Sequence, residues 1–599
     1  MKFAKFATYI EQIEKTSSRL TITHLLAELF KRLTPEEIDK AVYLLSGRVA
    51  PLFEAVEFGM AEKMVLKSVA VALNIERKFI ESEYKKIGDL GLTIEHFKKQ
   101  KNTLGFEEKD LTIVEVFERL KTLALSSGTG SHETKTNILA ELIRCLDGIS
   151  CRYIVRIPTG TMRLGFSDMT VLDALSWMVK GDKSLRPAIE HAYHVRPDLG
   201  FISRLVKEHE EQGLKKIVPV VGTPILMMKA ERLSSGVEII EKIGECSVEP
   251  KYDGFRLQVH YKKGSRGKGE VRLFTRNLED ASSMYPDLIE AVNKQIKGND
   301  IIFEGEAIGF DPISGNFLPF QETVQRKRKY NIEEVAKKIP LKLFAFELLY
   351  LNGKSYLEVP FSERRKILKK IIPISSSASH SIVIAPDEII KDGKKLELLF
   401  DDAISRGLEG IIAKKLSGMY QPGARGWNWI KFKRSYSSHI DDTIDCLVMG
   451  FDSGKGKRTS FGIGAFLVGI LDQKQDKFLT VAKIGTGLTD EEWRKLKVKS
   501  EKLKIQNKPK QYNVDKMMEC DVWVSPSIVV EIKADEITRS PVHTAGRTLK
   551  TSKSGSSYEV DIPGYALRFP RLVNFRDDKR PEDVTTLKEV EKLLKSQKK

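Results

Sequence analysis

The chain has 599 residues, a formal net charge of +17 and a charged-residue content of 30%. That length exceeds what one hydrophobic core usually organises, so roughly three or four domains are expected. No apolar run reaches the roughly 18 residues that span a bilayer, and Met1–Phe6 opens without the apolar core of a signal peptide. The sequence therefore argues against a membrane protein and predicts a cytoplasmic or nucleoid-associated location.

The excess of positive charge favours a polyanionic partner, with nucleic acid ahead of a membrane surface. A lysine-rich surface of a heat-adapted protein is the alternative interpretation, and charge alone identifies no chemistry. The five cysteines are scattered without a Cys-x-x-Cys pair, which favours a reducing interior and argues against a structural zinc site.

Residues 1–217 are predicted to be helical. Thr34–Glu37 combines a capping hydroxyl, a proline in the first turn and two acids, which is typical of a helix start. Ser167–Thr170 precedes a second periodic apolar pattern of the same kind. Between these two starts, Cys151–Ile157 alternates basic with apolar residues and is followed by Arg163. Such a segment could follow a phosphate backbone, and a solvated edge strand is an equally good interpretation.

The pattern changes near 218–224, a connector rich in proline and glycine. Residues 218–436 read as short strands with interspersed helices, the pattern of an α+β domain. Residues 437–599 are rich in strands and glycine, which fits a small β-barrel of the OB type, and they end in a polar helical tail.

The octet Glu249–Arg256 (EPKYDGFR) stands between two predicted strands. After it, apolar Leu257, Val259 and Tyr261 alternate with polar residues, as in a half-buried strand. A lysine at a strand end with carboxylates nearby is a candidate nucleophile. Asp-Gly between two strands is also the strongest short hairpin signal, so the octet by itself leaves both interpretations open.

Further charged and aromatic residues stand at the ends of the strands downstream. Each has an ordinary structural explanation as a surface charge, a core aromatic or a guard on an edge strand. Together they suit a nucleoside triphosphate held at a lysine, because cations neutralise phosphate, carboxylates hold a hard metal ion and an aromatic face stacks a base. The residues concerned are Arg276, Glu304, Glu306, Phe346, Glu409, Arg425, Lys431 and Lys433.

This ordered set resembles the covalent nucleotidyltransferases, and within them the ATP-dependent DNA ligases of archaeal and eukaryotic replicative type. Glu347 stands where that family more often has Asp, and Phe255 occupies a variable position. The segments that carry the resemblance are Lys251–Gly254 (KYDG), Phe274–Asn277 (FTRN), Phe303–Ala307 (FEGEA), Phe346–Gly353 (FELLYLNG), Glu409–Gly410, Trp429–Lys433 (WIKFK), Leu567–Arg571 (LRFPR) and Asp577–Glu582.

The resemblance implies an all-α DNA-binding domain, an α+β nucleotidyltransferase (adenylation) domain and an OB-fold domain. It implies an enzyme that seals 5′-phosphate/3′-hydroxyl nicks in duplex DNA with ATP, through a lysyl-AMP and a DNA-adenylate, in replication, repair and recombination. The alternatives are an RNA ligase or GTP-using capping enzyme of the same superfamily, or a basic DNA-binding protein that kept the fold.

The resemblance also implies a role for individual residues. Lys251 would attack ATP; Glu249 would face the adenine, Phe346 would stack on it and Glu306 would take the ribose hydroxyl. Glu409, with Glu306 or Asp253, would hold Mg²⁺. The other implied contacts are Arg256, Arg276, Arg425, Lys431 and Lys433 with the phosphates, Arg568, Arg571 and Lys579 with pyrophosphate, and Arg152, Arg156 and Arg163 with DNA.

Two further expectations concern movement and partners. Residues 434–442 are the predicted hinge that lets the barrel face the triphosphate during adenylation and grip DNA afterwards. Gln100, Leu104 and Phe106 loosely resemble a sliding-clamp peptide, although an ordinary loop between helices is the favoured interpretation of that pattern. A monomer is expected.

Overall fold

The computed structural model describes residues 1–101, 108–233, 235–264, 269–311, 317–318, 320–328, 330–372, 380–406, 408–433, 443–454, 462–485, 488–551 and 558–597. The chain forms two compact units, Met1–Phe432 and Lys433–Lys599. Within the described ranges, no helix combines the length and the apolar character that crossing a membrane requires.

The first unit begins with a helical region whose apolar faces form one large core. The predicted start at Thr34 is confirmed, because Pro35 is the first helical residue and the Glu37 carboxylate accepts a hydrogen bond from the Thr34 amide at 3.0 Å. The described helices of this region are α1 Phe3–Glu14, α2 Arg19–Arg32, α3 Pro35–Leu45, α4 Glu62–Leu73, α5 Arg77–Ile87, α6 Leu90–Lys101, α7 Ile113–Leu125, α8 Ser131–Cys145, α9 Gly148–Arg156, α10 Asp168–Lys180, α11 Arg186–Val195 and α12 Leu199–Leu214.

The basic segment 151–157 lies in helix α9 and its C-terminal cap, so the edge-strand interpretation is wrong. Asp147 starts this helix by accepting a hydrogen bond from the Ser150 amide at 3.0 Å. A helix whose neighbours are acidic can bury its arginines, which a period-two pattern does not reveal.

Arg152 and Arg156 are buried in a network of carboxylates. Arg156 lies 2.8 Å from Glu14 and 2.9 Å from Asp89, and Arg152 donates from Nε to Glu95 at 2.6 Å. These pairs fasten α9 to α1 and α6. Direct contact of the two arginines with DNA, as predicted from the sequence, is therefore not what this arrangement offers.

Arg163 differs from the two buried arginines, because 54% of its side chain is exposed even though it pairs with Asp89 at 2.8 Å. Of the three arginines predicted to contact DNA, it is the one that a phosphate group can reach without disrupting the core.

Two sheets follow the helical region in the first unit. Their orders are β1-β11-β10-β2-β9 and β4-β3-β5-β6-β7, with β8 beside β6. The strands are β1 Lys229–Arg232, β2 Cys246–Lys251, β3 Phe255–Lys262, β4 Glu270–Thr275, β5 Asp300–Gly309, β6 Leu341–Leu351, β7 Lys354–Ser355, β8 Ile382–Ile384, β9 Glu388–Ile390, β10 Gly410–Lys415 and β11 Arg425–Lys433. The accompanying helices are α13 Gly236–Ile243, α14 Pro286–Gln295, α15 Phe320–Thr323, α16 Ile332–Lys338, α17 Phe361–Ile371 and α18 Gly393–Ser405.

Strand β3 is buried on both faces, so the prediction of a half-buried strand is wrong. Gln258 and His260 are completely buried, because the linker after the helical region covers them. The Ile225 and Gly222 amides donate to Gln258 Oε1 at 2.7 Å and His260 Nδ1 at 3.0 Å. Burial lowers the pKa of His260 to about 3, which keeps the ring neutral.

The second unit is a β-rich domain with its own core. An eight-stranded sheet dominates it, and two two-stranded ribbons, β19-β22 and β20-β21, complete the described strands. The strands are β12 Ile444–Ser453, β13 Ile463–Asp472, β14 Lys477–Ile484, β15 Lys504–Ile505, β16 Tyr512–Asn513, β17 Val522–Val524, β18 Val529–Lys533, β19 Glu536–Ser540, β20 Thr548–Thr551, β21 Tyr558–Ile562, β22 Gly564–Arg568 and β23 Arg571–Phe575, with helices α19 Asp490–Glu501 and α20 Leu587–Gln597.

We predict that Gly91→Ala destabilises the helical region. A Cβ at this position would stand 2.7 Å from both the Arg152 carbonyl oxygen and Arg156 Nε, so α6 and α9 would have to separate. The expected loss is about 1–3 kcal/mol of unfolding free energy, measured by denaturant titration. Gly148→Ala is the matched control in the same helix pair, because its nearest neighbour would be at 3.4 Å. Equal losses in the two variants would contradict this explanation.

Candidate active site

A cavity of about 500 Å³ opens in the first unit, and residues of both sheets line it. The predicted residues Glu249, Lys251, Arg256, Arg276, Glu306, Phe346, Arg425 and Lys431 are all among them. These eight residues lie in six different strands, or directly after one, and thus converge on one space.

Lys251 is the last residue of β2, where the pairing with β10 places Gly410 directly opposite. The Glu409 amide donates to the Lys251 carbonyl at 3.0 Å, and Lys251 Nζ contacts the Glu409 carboxylate. The lysine side chain remains 22% exposed. The candidate nucleophile therefore reaches the cavity with a carboxylate already beside it.

The segment after Lys251 is not a hairpin, because β2 and β3 belong to different sheets. The chain crosses between the sheets at Gly254, where an added Cβ would stand 2.3 Å from the Ala307 carbonyl oxygen. Only glycine fits at this distance, so Asp253-Gly254 is a crossing point rather than the turn that the dipeptide suggests.

Glu249, which lines the cavity, is buried against two cations. Lys414 Nζ lies 2.7 Å from its Oε2, and Arg365 lies 3.5 Å from its Oε1. Oε1 is buried and has no hydrogen-bond partner within the described part of the chain. Phe346 lies beside this group, with its ring centroid 4.7 Å from Lys414 Nζ.

Lys414 was not singled out from the sequence, although it is 1% exposed and lines the cavity. Burial lowers its pKa, against the opposing effect of Glu249 and Glu347. The sequence feature that could have identified Lys414 is the period of two along β10, which puts Ile412 and Lys414 on the face that lines the cavity.

Arg256 also lines the cavity and is held by a buried acid. Its guanidinium lies 2.5 Å from Glu304, which also accepts hydrogen bonds from the Tyr420 hydroxyl at 3.0 Å and from Gln258 at 3.1 Å. Burial raises the pKa of Tyr420, so the phenol remains a donor. No hydrogen-bond partner for Arg256 Nε is found in the described residues.

Glu306 lies opposite Arg256 in the register of β5 with β3. Desolvation raises the pKa of Glu306 to about 7, with Lys251 and Arg256 opposing and Glu409 and Asp253 adding to the increase. The carboxylates of Glu409 and Asp253 therefore act electrostatically on that of Glu306, which lies close to Lys251.

The carboxylates could share a Mg²⁺ ion with phosphate oxygens. Among the residues that the structure describes, no three His, Cys, Asp or Glu side chains form a metal cage by themselves. Mg²⁺ usually takes one or two carboxylates together with substrate phosphates, so the donor set fits that ion and not a cage-bound metal.

Arg276 and Arg425 are exposed side chains that line the cavity. Lys431 lines it as well. Lys433 ends β11 as the first residue of the second unit, so it is not placed in the cavity here.

The cations predicted to contact pyrophosphate lie in the second unit, and each is paired with an acid. Arg568 pairs with Glu536 at 2.8 Å, and Arg571 pairs with Asp535 at 2.5 Å. Lys579 pairs with Asp445 at 2.5 Å.

For the sliding-clamp motif, the structure describes only Gln100. It lies near the end of α6, with Nε2 2.9 Å from His96 Nε2. Leu104 and Phe106, like the predicted hinge 434–442, lie outside the described residues.

The chain matches three family models in order along its length. These are the DNA ligase N terminus over residues 2–176, the ATP dependent DNA ligase domain over 227–433 and the ATP dependent DNA ligase C terminal region over 459–579. A relative named probable DNA ligase, from Dictyoglomus turgidum, is 48% identical over 100% of this chain and 98% of its own length. The chain belongs to the ATP-dependent DNA ligases.

Other similarities agree with this assignment. The ligase is 41% identical to DNA ligase 2 of Thermofilum pendens, over 100% of this chain and 98% of that protein. A solved structure named Pmar-Lig_PreS3 covers 95% of the ligase and 99% of its own chain, with a TM-score of 0.53 and 16% identity, which bears on the fold alone. These relatives do not favour the RNA ligase or capping-enzyme alternative.

We predict a pH-dependent stability that Glu306 creates. Between its ordinary value of 4.5 in the unfolded chain and about 7 in the folded ligase, the folded state binds more protons. Its stability therefore falls as pH rises through this window. Glu306→Gln should remove about 1–3 kcal/mol of this decline. Denaturant titrations of both proteins from pH 4 to 8, without nucleotide, test this. Parallel curves for the two proteins would disprove the role given to Glu306.

Proposed function

We propose that the ligase seals 5′-phosphate/3′-hydroxyl nicks in duplex DNA, with Lys251 as the nucleophile that takes AMP from ATP. One observation carries the assignment of Lys251. Its Nζ reaches a cavity of about 500 Å³ that also holds a buried carboxylate, an aromatic ring and several cations from two sheets.

The fit to ATP rests on three buried polar atoms that line the cavity. Glu249 Oε1, Arg256 Nε and Thr275 Oγ1 have no hydrogen-bond partner in the described chain. Buried polar atoms are normally paired, so these three mark where a ligand supplies the missing bonds. An ionised carboxylate only accepts, so Glu249 would take a hydrogen bond from the adenine 6-amino group and disfavour the 6-oxo group of guanine.

The remaining contacts follow from position in the cavity. Phe346 would lie against the base and Glu306 would hold the ribose hydroxyl, whereas Arg256, Arg276, Arg425 and Lys431 would neutralise the phosphates. Lys433 does not line the cavity, so its proposed phosphate contact rests on the family resemblance alone. Arginine suits this task because its planar fork binds phosphate through two bonds.

In the first step, the Lys251 amine forms a bond to the α-phosphorus, the bond to the β-phosphate oxygen breaks, and pyrophosphate leaves. The lysine must be neutral to attack, so its contact with Glu409 has to be given up as the reaction begins. The Glu409 oxygen atoms are then available as metal ligands, with Glu306 or Asp253 beside them. A bound Mg²⁺ would neutralise charge that develops on the phosphate oxygens.

In the later steps, AMP passes from Lys251 to the 5′-phosphate of the nick, and the 3′-hydroxyl then displaces AMP to form the phosphodiester bond. We assign duplex binding to the helical region and to the second unit, which we interpret as an OB-type barrel. Domain limits of 1–217, 218–436 and 437–599, with a hinge at 434–442, belong to this proposal.

The wider role that we propose is nick sealing in replication, repair and recombination, by a monomer in the cytoplasm or at the nucleoid. Clamp binding through Gln100, Leu104 and Phe106 stays a prediction with an ordinary loop as the favoured alternative. Loss of clamp-stimulated ligation in a Gln100/Phe106 double alanine variant would reverse that preference.

We predict that Lys251→Ala abolishes AMP transfer to the protein, because it removes the amine that stands opposite Gly410 at the cavity. Mass spectrometry after incubation with ATP and Mg²⁺ should show the AMP adduct on Lys251 of the unaltered ligase and no adduct on the variant. Lys415→Ala, at the exposed far end of β10, is the matched control and should be adenylated normally. An adduct on the Lys251→Ala variant would refute the nucleophile assignment. Unaltered ligase without any adduct would favour a non-catalytic DNA-binding protein.

We also predict that Arg571→Ala and Lys579→Ala each slow adenylation by ATP at least tenfold, because they withdraw a cation from the leaving pyrophosphate. Sealing of a nick that already carries AMP should change far less, since pyrophosphate takes no part in it. Lys533→Ala is the control, because Lys533 is exposed and lies opposite Arg571 in the register of β18 with β23. Equal losses in the two assays would rule out this division of labour.

A further inference from the structure

One residue of the linker between the helical region and the sheets contacts three parts of the first unit. The Leu226 amide donates to the His194 carbonyl in the helical region at 2.9 Å, and the Leu226 carbonyl accepts from the Gly423 amide at 2.9 Å. Its side chain packs on a buried cluster of Phe53, Phe274 and Leu278. Leu226 thus joins the helical region to a turn after β4 and to a loop before β11.

The turn after β4 carries Arg276 and depends on buried packing. The Leu278 amide donates to the Thr275 carbonyl at 2.9 Å, and Leu278 has a φ of +66°. That left-handed conformation is unfavourable for a residue with a Cβ, so tertiary packing has to hold it. Phe53 of the helical region, 5% exposed, supplies part of that packing.

A second contact from the helical region supports the same turn. Arg272 in β4 donates to the Phe53 carbonyl at 3.3 Å and pairs with Asp280 at 2.9 Å. The strand that leads into the turn and the residue that follows it are therefore both fastened next to Phe53.

The loop before β11 leads into Arg425, the first residue of that strand, and rests on His194. Gly423 has a φ of +68°, and a Cβ there would stand 2.9 Å from the His194 ring. The neighbouring Val195 belongs to a buried cluster with Tyr420 and Trp429, residues on either side of the loop. The end of helix α11 thus supports the loop from which Arg425 enters the cavity.

We infer that the helical region positions Arg276 and Arg425 for ATP, and so contributes to self-adenylation before any DNA is bound. Phe53 and His194 are the positioning residues, and neither lines the cavity. The inference rests on the proposed function, which gives both arginines to the phosphates of ATP. It assigns to the helical region a task beyond gripping the duplex.

The two possible tasks of the helical region make different predictions when DNA is absent. A region that only binds duplex has no effect on lysyl-AMP formation from ATP. A region that fixes two phosphate ligands does have one, because small displacements of positioned charges weaken the interactions that orient a reacting phosphate.

The test measures lysyl-AMP formation by the full-length ligase over a range of ATP concentrations, without DNA. Phe53→Ala should raise the KM for ATP about fivefold and change the rate at saturating ATP less than about twofold, as loss of ground-state positioning does. Phe53→Leu, which keeps an apolar side chain in the cluster, should restore most of the affinity. Phe79→Ala is the matched control in the helical region, because Phe79 is 56% exposed, and its KM should be unchanged.

Double variants show whether the effect passes through the arginines. In an Arg276→Ala background, Phe53→Ala should add little, because the group that it positions is gone. His194→Ala, which removes the ring beneath Gly423, should raise the KM for ATP in the same way and add little to Arg425→Ala. His194→Ala also carries the test alone if Phe53→Ala fails to fold.

Folded Phe53→Ala and His194→Ala variants with unchanged KM for ATP would overturn the inference, as would effects that add fully to those of the two arginine variants. If Arg276→Ala and Arg425→Ala themselves leave the KM unchanged, then the proposed phosphate contacts fail, and the inference fails with them. An effect of both arginine variants without any effect of Phe53→Ala or His194→Ala rejects the inference alone.

Discussion

The cavity beside Lys251 exists because the chain leaves one sheet directly after this residue and enters the other at Phe255. This crossing is possible only because Gly254 passes against the Ala307 carbonyl, where a Cβ would stand 2.3 Å away. Residues of two sheets then face one space, and Lys251 stands at the junction. A hairpin at the same place would keep both strands in one sheet and leave Lys251 without an opposing wall.

The charges around this space are of two kinds. Some are paired with each other and fully buried, such as Glu347 with Arg364, which are both completely inaccessible. Breaking such a pair by removing one partner typically costs about 3–5 kcal/mol, so these groups are part of the scaffold. Others, such as Arg276 and Arg425, stay exposed at the cavity, where a charged ligand can meet them. The buried pairs therefore stabilise the walls of the cavity, whereas the exposed cations can bind a triphosphate.

Much of this architecture could be predicted from the sequence, because local patterns determine helix starts and strands. The helix start at Thr34, the sequence of α-helical and then mixed regions, and the gathering of the strand-end residues around Lys251 all belong to this class. Contacts between distant residues could not be predicted. The Tyr420 hydroxyl donates a hydrogen bond to Glu304, although 116 positions separate the two residues. The sequence around either residue does not predict this contact.

The errors in the sequence-based predictions have the same origin. The sequence pattern places Gln258 and His260 on the solvent-exposed face of a strand, but the linker after the helical region covers them. The sequence pattern of Arg152 and Arg156 suggests phosphate ligands, but both side chains form ion pairs with carboxylates from the regions of two other helices. Periodicity reports which residues share a face, and it does not report what lies against that face.

The contact between Lys251 and Glu409 has a consequence for the ligase at rest. Glu409 holds Lys251 through two contacts, because its amide donates to the Lys251 carbonyl and its carboxylate meets Nζ. A ligand that binds the Glu409 carboxylate therefore changes the surroundings of the lysine side chain, whereas the main-chain hydrogen bond can keep the residue in place. One acid thus fixes the position of the lysine and also couples its side chain to the ligands of that acid.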